Sequence, residues 1–506
     1  MLASVGAATL VGVEGHRISV EVHGSNGLPS FTIVGLPDAG CREARDRVRA
    51  AVLSSGLTWP NRRVTVNLAP SSVRKGGSGL DVAIAIGVLV ASEQVPAASI
   101  EGRSFVGELG LDGRLRTVTG IVPLVHALAG DEVIVPASAF REAEVIHDGL
   151  VRPVSDLRQL CDALCATEPW PDPPEPGPDQ ACVPGPDLAQ VMGQALARRA
   201  IEVAAAGGHH LLMLGPPGAG KTMLARRLVG IMPDLDRAAA IEATLVHSAA
   251  GERLPRGGLV VRPPLRSPHH GASMVSLIGG GTGSVRAGEI SLAHRGVLFL
   301  DELGEFAPTV LDALRQPLEE GVIRVSRASG STVFPARFLL VAAMNPCPCG
   351  EAGRPGACRC SDLARLRYAR RMSGPLLDRF DLRLMVTRPP VDDLLARHHV
   401  AESTAEVAER VLTARARAKE RGVEANAQLT RDDLELVCSV TSDGERLLRH
   451  HLEAGVLSAR GLHRVQTVAL TLCDLAGADP VLDGDRIAGA LSMRVEPARL
   501  LQAVGV

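Results

Sequence analysis

The first 165 residues alternate short runs of β-type residues with longer segments whose apolar positions follow a helical period. The short runs predict strands at Thr9–Val13, Arg17–Val22, Phe31–Val34, Val64–Leu68 and Glu132–Val135. The longer segments predict helices at Cys41–Ser54, Leu80–Ser92 and Val122–Ala129. Strands interleaved with helices indicate a mixed α/β domain.

The segment from His210 to Thr222 predicts a phosphate-binding loop. An apolar run that ends at Gly215 predicts a buried strand, and the run after Thr222 has helical period. Between them lies G-x-x-x-x-G-K-T, in which backbone N–H groups wrap a phosphate, the lysine reaches the outer phosphates and the threonine ligates Mg²⁺. The predicted contacts to a nucleoside triphosphate and to Mg²⁺ come from Gly215, Pro216, Pro217, Gly218, Ala219, Gly220, Lys221 and Thr222.

Two later apolar strands end in polar residues that would complete such a site. The first runs from Gly296 to Asp301 and Glu302. In an NTPase the aspartate orders the Mg²⁺ through its waters and the glutamate polarises the attacking water. The second runs from Arg337 to the amide of Asn345. We therefore expect a complete hydrolytic site in a parallel α/β domain.

Proline marks the boundary between the two α/β regions. The stretch from Thr167 to Pro186 is rich in proline, which removes hydrogen-bond donors and favours extended geometry. We therefore predict a first domain at 1–165, a linker at 166–186 and an ATPase domain at 187–388. That domain should open with a helix from Asp187 to Ala206, with Asp187 as its N-cap. After Pro390 the pattern turns helical, which predicts a C-terminal helical domain at 389–506.

The composition narrows the classes of partner. The net charge is -2, so any contact with nucleic acid must come from local basic patches. Aromatic residues make up only 2% of the chain, which favours contacts to phosphates over base stacking. The N-terminus does not resemble a signal peptide, and the longest apolar run, Val82–Ala91, is too short to span a bilayer. We expect a soluble, cytoplasmic protein without a membrane partner.

Cysteines cluster in one short stretch. Two C-x-C pairs, Cys347 with Cys349 and Cys358 with Cys360, lie within residues 347–360. Four thiolates can close a tetrahedral Zn²⁺ site, although C-x-C is tighter than the usual C-x-x-C knuckle. A zinc site and unliganded thiols both remain open here.

Two stretches of the first domain resemble the proteolytic domain of Lon proteases, which has the ribosomal S5 domain 2-like fold. They run from Ala69 to Asp81 and from Gly107 to Gly120. Lys75 and Ser78 suggest a base and a nucleophile, but Lon's pattern places the catalytic serine where this chain has Gly79. Its catalytic lysine falls where this chain has Val122. The resemblance thus implies a Lon-like domain that is catalytically inactive.

With this Lon-like domain included, the chain resembles over essentially its full length the magnesium chelatase-like AAA+ ATPases of the YifB or ComM competence-protein type. The stretches that carry the resemblance are the phosphate loop, Gly288–Glu302, the Asn345-Pro-Cys-Pro-Cys stretch, Ser373–Asp381 and Leu457–Arg464. It implies that Asn345 is the sensor 1 residue and that residues 271–289 form a helix-2 insert. It also implies a pre-sensor 1 hairpin at 321–334.

The same resemblance assigns roles to arginines. Arg379 would reach the γ-phosphate of a neighbouring subunit, although Asp378 or Asp381 could instead pair with it within the chain. Arg460 would close over the phosphates as sensor 2. In the two insertions, candidate contacts to nucleic-acid phosphates are Arg286, Arg324 and Arg327.

The resemblance implies a homo-oligomeric ring, a hexamer, that hydrolyses ATP and acts on single-stranded or branched DNA. Its expected activity is that of a helicase in branch migration during homologous recombination or natural transformation. A magnesium chelatase motor subunit and an ATP-dependent remodelling ATPase or chaperone remain as alternatives. A Lon-type protease would need the serine and the lysine that Gly79 and Val122 replace.

Overall fold

The structure is a computed structural model that describes residues 2–175, 185–281, 285–327, 330–352, 357–371, 374–390 and 401–495. The strands are β1 Leu2–Val11, β2 Glu14–Ser25, β3 Ser30–Val34, β4 Arg63–Ala69, β5 Arg103–Phe105, β6 Glu108–Leu109, β7 Leu115–Arg116, β8 Glu132–Pro136, β9 Val151–Val154, β10 Leu211–Leu214, β11 Leu265–Arg266, β12 Gly279–Gly280, β13 Arg286–Ala287, β14 Val297–Leu300, β15 Val322–Arg327, β16 Gly330–Pro335, β17 Leu339–Met344, β18 Leu382–Met385, β19 Ser439–Val440 and β20 Val481–Leu482.

The helices are α1 Ala39–Ser54, α2 Asp81–Ala91, α3 Ile121–His126, α4 Phe140–Ile146, α5 Leu157–Leu164, α6 Ala195–Gly207, α7 Lys221–Ile231, α8 Arg237–Ala250, α9 Met274–Ile278, α10 Glu289–Leu292, α11 Pro308–Ala313, α12 Arg315–Glu320, α13 Asp362–Arg370, α14 Gly374–Leu377, α15 Thr404–Glu420, α16 Arg431–Val437, α17 Ser442–Glu453, α18 Ala459–Leu475 and α19 Gly484–Ser492.

The N-terminal region folds around a mixed sheet of seven strands in the order β3-β4-β2-β1-β5-β8-β9. The long β1 and β2 pair antiparallel from Leu2 opposite His23 to Val11 opposite Glu14, and β5, β8 and β9 continue the sheet in parallel. Helix α2 is apolar on all sides and every one of its residues is buried, as expected of a helix at the centre of a core.

The second sheet is parallel throughout and has five strands in the order β11-β14-β17-β10-β18. Strands β10, β14 and β17 are buried along their whole length, because helices cover both faces of such a sheet. The carboxyl ends of these three strands lead to the phosphate loop, to Asp301 and to Asn345. A mixed α/β fold with a parallel sheet is thus confirmed.

The C-terminal helices pack against this sheet. Helix α15 begins with a capping box, in which Ser403 and Glu406 satisfy each other's backbone N–H groups. Helix α18 is buried over most of its length and shares one apolar core with α6, α7 and β10. Along the described residues, no helix is both long and apolar enough to cross a membrane.

The N-terminal region also packs on the second α/β region. The N–H of Gly120 donates to the carbonyl of Ser248 at 3.0 Å, and the N–H of Val122 donates to the Ser248 hydroxyl at 3.2 Å. The turn between β1 and β2 lies on the β15–β16 hairpin. An added Cβ at Gly12 would lie 2.4 Å from the Thr332 methyl group, so the backbone at Gly12 packs closely on that side chain.

Several predicted elements differ from the observed ones at their ends, and for two of them the backbone gives the reason. The strand predicted at Thr9–Val13 ends at Val11, because Gly12 turns the chain at a φ of 67°. The helix predicted from Asp187 begins at Ala195 instead, since Gly193 and Gln194 adopt left-handed φ values of 62° and 56°. Asp187 does act as an N-cap, but of a 3₁₀ turn at Leu188–Gln190.

Parts of the predicted organisation lie outside the described residues. These parts are residues 176–184 of the predicted linker, 391–400 and 496–506 of the predicted C-terminal domain, and Ser373. The rest of the predicted linker and the other domain limits stay predictions.

Candidate functional site

The phosphate loop lies between β10 and α7 and borders a cavity of about 390 Å³. Gly218 and Gly220 adopt φ values of 76° and 85°, a left-handed conformation that side chains disfavour. At Gly215 a Cβ would lie 2.0 Å from the carbonyl oxygen of Val386 on the neighbouring strand. The cavity is lined by Pro217, Gly218, Ala219, Gly220, Lys221, Thr222, Met223, Asp301, Glu302 and Asn345.

The Lys221 ammonium is buried at the mouth of the loop. Its Nζ donates to the carbonyls of Gly215 at 2.6 Å and Pro216 at 3.0 Å, and to Oδ1 of Asn345 at 3.1 Å. Burial lowers the pKa of Lys221, and the charges of Asp301 and Glu302 oppose that shift. The structure therefore brings the predicted lysine, both acids and the amide to one point.

Thr222 and Asp301 offer oxygen atoms for a hard cation. The Thr222 hydroxyl donates to Oδ2 of Asp301 at 2.7 Å, and the N–H of Glu302 donates to Oδ1 of the same carboxylate at 2.9 Å. A hydroxyl and a carboxylate side by side beside a phosphate loop fit Mg²⁺, which takes few protein ligands and keeps several waters. These residues suit the predicted cation.

A histidine that the sequence did not single out contacts Glu302. Nδ1 of His270 lies 2.9 Å from Oε2 of Glu302, which itself has a left-handed φ of 52°. The His270 ring also lies 4.1 Å from the ring of His269 and packs edge-on against Phe306. The sequence signal was a pair of adjacent histidines directly before the glycine-rich insertion, and it does not indicate which residue they would contact.

Arg379 and Arg460 line a second cavity, of about 550 Å³, and neither is among the residues that line the first. Arg379 is buried and forms an ion pair with Glu319. Asp381, proposed from sequence as an alternative partner of Arg379, forms an ion pair with Arg464 instead. Burial lowers the pKa of Arg379, and the nearby charges of Arg460, Arg464 and Arg315 lower it further.

This second cavity is lined by four arginines, Arg379, Arg431, Arg460 and Arg464, and by two acids, Glu319 and Asp381. Such a group of guanidinium charges is suited to an anion with several negative charges, such as a triphosphate. Within one chain, the arginines and the phosphate loop line separate cavities.

The two predicted insertions form small β structures. In the first, β12 pairs with β13, and Arg286 is exposed opposite Gly280. In the second, β15 and β16 form the predicted hairpin. Arg324 is 57% exposed there, with its Nε 3.5 Å from a Glu320 carboxylate oxygen. Arg327 pairs with Gly330 at the hairpin tip, and its side chain lies outside the described residues.

Family models match most of the chain. The model described as magnesium chelatase, subunit ChlI, matches residues 187–394. The model for subunit ChlI of Mg-chelatase matches residues 20–139, and the one for the ChlI C-terminal part matches residues 401–494.

Curated relatives match over almost their full length. Competence protein ComM of Haemophilus influenzae is 42% identical over 508 residues, which cover 99% of each chain. Uncharacterized protein YifB of Escherichia coli is 40% identical over 494 residues, 97% of each chain. Uncharacterized protein Rv2897c of Mycobacterium tuberculosis is 44% identical over 503 residues, 96% of this chain and 97% of that protein. The chain belongs to the YifB/ComM family of magnesium chelatase-like proteins. The resemblance seen in the sequence motifs is thereby confirmed.

In this YifB/ComM-type chain the four predicted cysteines lie together. Their sulfur atoms all lie within 4.8 Å of one another. The Sγ of Cys347 is 3.3 Å from that of Cys349 and 3.7 Å from that of Cys358, and the N–H of Ala352 donates to Cys347 Sγ. Burial raises the pKa of Cys347 to about 12, whereas backbone N–H groups of Glu351 and Arg359 lower that of Cys349 to about 6.

The Lon-like residues of the N-terminal region do not form a serine and lysine pair. Lys75 is fully buried and its Nζ donates to the carbonyl of Pro70. The Ser78 hydroxyl donates to the carboxylate of Glu108. Val122 is fully buried beside Ser248 of α8. The groups that a serine nucleophile needs are therefore paired with other partners.

Proposed function

We propose that this chain is an ATP-hydrolysing motor that assembles into a homo-oligomeric ring, a hexamer, and moves branched DNA. The observation that carries the proposal is the meeting of Lys221, Thr222, Asp301, Glu302 and Asn345 around one cavity beside the phosphate loop. In this reading Lys221 and Thr222 hold the triphosphate and its Mg²⁺, and Glu302 polarises the attacking water. The name of the Haemophilus relative, a competence protein, supports a role in competence or recombination, and we place that role in the cytoplasm.

We further propose that hydrolysis takes place between subunits. The support is the separation of two half-sites in one chain, because Arg379 and Arg460 line their own cavity. If that face of one subunit covers the phosphate loop of the next, both arginines reach the neighbour's phosphates. Arg379 then leaves Glu319 and spreads positive charge over the γ-phosphate in the transition state. Arg460, which is exposed, closes over the same phosphates.

Mixing two inactive variants tests this arrangement. Lys221→Ala and Arg379→Ala should each lower ATP turnover by about 10³ or more, because each removes charge stabilisation from the reacting phosphate. Mixed rings should recover part of the activity, since some interfaces then combine an intact phosphate loop with an intact arginine. Glu319→Gln, which frees Arg379 without removing it, is the control and should keep turnover within about threefold of wild type. If Arg379→Ala stays as active as Glu319→Gln, the intersubunit role is wrong.

The DNA part of the proposal depends on the two insertions. Arg286 and Arg324 are exposed on them, and aromatic residues for base stacking are scarce in the whole chain. Arginines without a stacking platform suit the phosphate backbone, so binding should weaken steeply with salt and show little sequence preference. ATP binding would order the subunit interface. The β15–β16 hairpin would shift with that interface and carry the bound DNA strand along.

A four-way junction with homologous arms tests the DNA proposal. Wild type should resolve it into duplexes with ATP and Mg²⁺ and should fail to do so with a non-hydrolysable analogue. Arg324→Ala combined with Arg327→Ala should abolish junction movement and DNA-stimulated turnover. Arg446→Ala, at an exposed arginine on α17, should change neither. A wild-type protein that neither binds DNA nor moves junctions would favour a chelatase-type motor or a remodelling ATPase instead.

A further inference from the structure

We infer that Cys347, Cys349, Cys358 and Cys360 bind one Zn²⁺ and that this zinc site holds the phosphate loop in its nucleotide-binding shape. The metal site is independent of the proposed function, whereas its effect on nucleotide binding rests on the proposed function. Two sets of observations carry the inference: the geometry of the sulfur atoms, and the contacts of the cysteine loop with Pro217 and Asn345.

The sulfur atoms already lie at the spacing of a tetrathiolate zinc site. A tetrahedron with Zn–S bonds of about 2.3 Å has edges of about 3.8 Å. In the structure, Cys349 Sγ and Cys347 Sγ each lie 3.7 Å from Cys358 Sγ, and all four sulfurs fall within 4.8 Å. A single disulfide would instead draw two sulfurs to about 2.0 Å and leave the other two aside.

The local backbone supports the sulfur positions. Gly350 turns the chain at a φ of 80°, and its N–H donates to the carbonyl of Cys347 at 2.9 Å. The N–H of Ala352 donates to the Cys347 sulfur at 3.3 Å. Backbone donors to ligand sulfurs orient the ligands and stabilise the negative charge of bound thiolates. The short C-x-C spacing is therefore compatible with a knuckle, since the glycine supplies the turn.

The cysteine loop lies directly against the phosphate loop. A Cβ added to Gly350 would lie 2.5 Å from Cδ and 2.6 Å from Cγ of the Pro217 ring. The backbone of Gly350 therefore packs directly on the Pro217 ring, and there is no space for a side chain between them. Arg388 joins the same contact, because its Nη2 donates to the Pro217 carbonyl at 3.2 Å and to Oε1 of Glu351 at 3.3 Å. Any shift of the turn at Gly350 therefore moves Pro217.

The other end of the cysteine loop reaches the lysine. Cys347 is fully buried and follows Asn345 by two residues, and the Asn345 amide oxygen accepts from Lys221 Nζ at 3.1 Å. Among the described residues, Cys347 is the one fully buried member of the small apolar cluster around the cysteines. Side-chain packing alone therefore contributes little to the stability of the cysteine loop. A metal ion would supply the missing stabilisation, as it does in small domains with little core.

Metal analysis tests the first half of the inference. Wild-type protein purified without a polyhistidine tag should contain about one zinc per chain by elemental analysis. Replacement of zinc by cobalt should give the visible absorption bands of a tetrahedral tetrathiolate. Cys349→Ser combined with Cys360→Ser should lose the metal, whereas Cys438→Ser, at a half-buried cysteine outside the cluster, should keep it. Metal-free wild-type protein would overturn the inference.

Nucleotide affinity tests the second half. Binding of a fluorescent ADP analogue should weaken about tenfold in the double cysteine variant and stay unchanged in Cys438→Ser. The double cysteine variant could also lose local structure along with the metal. Gly350→Ala therefore provides an independent measurement of the coupling between the cysteine loop and the phosphate loop. It should keep one zinc per chain yet bind the analogue about tenfold more weakly, since its methyl group meets Pro217.

Gly422→Ala is the matched control for Gly350→Ala. Gly422 has a φ of 83° but nothing within 4 Å of an added Cβ, so it carries the same backbone strain without the contact. It should leave nucleotide affinity unchanged. Equal affinities of wild type, Gly350→Ala and the double cysteine variant would overturn the coupling. A wild type that holds zinc but binds no nucleotide would overturn the proposed function and the coupling together, while the metal site would stand.

Discussion

The carboxylate of Glu302 is the group on which the proposed hydrolysis depends, and His270 holds it in the structure. The ring nitrogen lies 2.9 Å from the carboxylate oxygen, and His270 directly precedes the insertion at 271–289 that we propose faces DNA. The histidine thus connects the insertion to the catalytic group.

We predict that His270→Ala raises ATP turnover in the absence of DNA by about threefold to tenfold, because it frees the Glu302 carboxylate to act on water. DNA should then stimulate turnover less than it does in wild type. His269→Ala is the control, since Nδ1 of His269 accepts from the N–H of Gly271 instead. Steady-state turnover with and without DNA measures both effects. A loss of basal turnover in His270→Ala would mean that the histidine aligns Glu302 for catalysis.

Sequence reasoning found the residues whose role depends on a local pattern. Lys221 and Thr222 come from one motif, and Asp301 and Asn345 come from strand ends that a parallel sheet brings together. It could not find His270 or Glu319, because their contacts with Glu302 and Arg379 depend on how distant segments fold back. It also could not tell that Arg460 and Arg379 would share a cavity.

At the scale of elements, helix α3 places in the core the position at which the resemblance to Lon proteases expects a lysine. Val122 lies where the resemblance expects the catalytic lysine, and it is fully buried against α8. Its core includes Ala243 and Val260 of the second α/β region. Val122 therefore takes part in the packing between the two regions.

We predict that Val122→Lys does not create a peptidase and lowers the free energy of unfolding by at least about 3 kcal/mol, because it buries an unpaired charge. Chemical denaturation measures the loss, and incubation with unfolded casein and ATP measures peptidase activity. His126→Lys, at an exposed position on the same helix, is the control and should cost little. Casein cleavage that Ser78→Ala abolishes would contradict the prediction.

The start of helix α6 shows where the apolar periodicity of the sequence fails to predict the end of a helix. Residues 187–206 have helical composition, yet left-handed φ values at Gly193 and Gln194 split the segment into a 3₁₀ turn and α6. The Gln194 amide donates to the carbonyl of Thr387 at 3.2 Å, a contact from a distant segment that helps to hold the break. The apolar periodicity of one segment contains no information about such a contact with a distant segment.

At the scale of the whole molecule, buried histidines link stability to pH. Burial lowers the pKa values of His209, His210 and His294 to about 4. His209 hydrogen-bonds Thr471 of α18, and His294 hydrogen-bonds Glu242 of α8, so each joins segments that are far apart in the chain. In the unfolded chain these side chains titrate near their ordinary pKa of about 6.5.

We predict that the contribution of these three histidines to the free energy of unfolding is constant above about pH 6.5 and falls as the pH drops from there towards 4. The folded pKa values are lowered, so below pH 6.5 the unfolded chain binds protons that the folded protein does not. Each histidine contributes a slope of about 1.4 kcal/mol per pH unit. Urea unfolding at several pH values should therefore show a shallower slope for His294→Gln than for wild type. Equal slopes would contradict the assignment of part of this pH dependence to His294.

The contact of Gly12 with the β15–β16 hairpin has a consequence for truncated forms of the protein. Phe334 and Ile323 of that hairpin are buried in a core that also contains Val13, and Ala243 and Val260 share a core with α3. Deletion of residues 1–165 would therefore uncover apolar side chains at two places on the remaining part. A truncated protein would be prone to aggregation, and the hairpin would move without the turn that now rests on it.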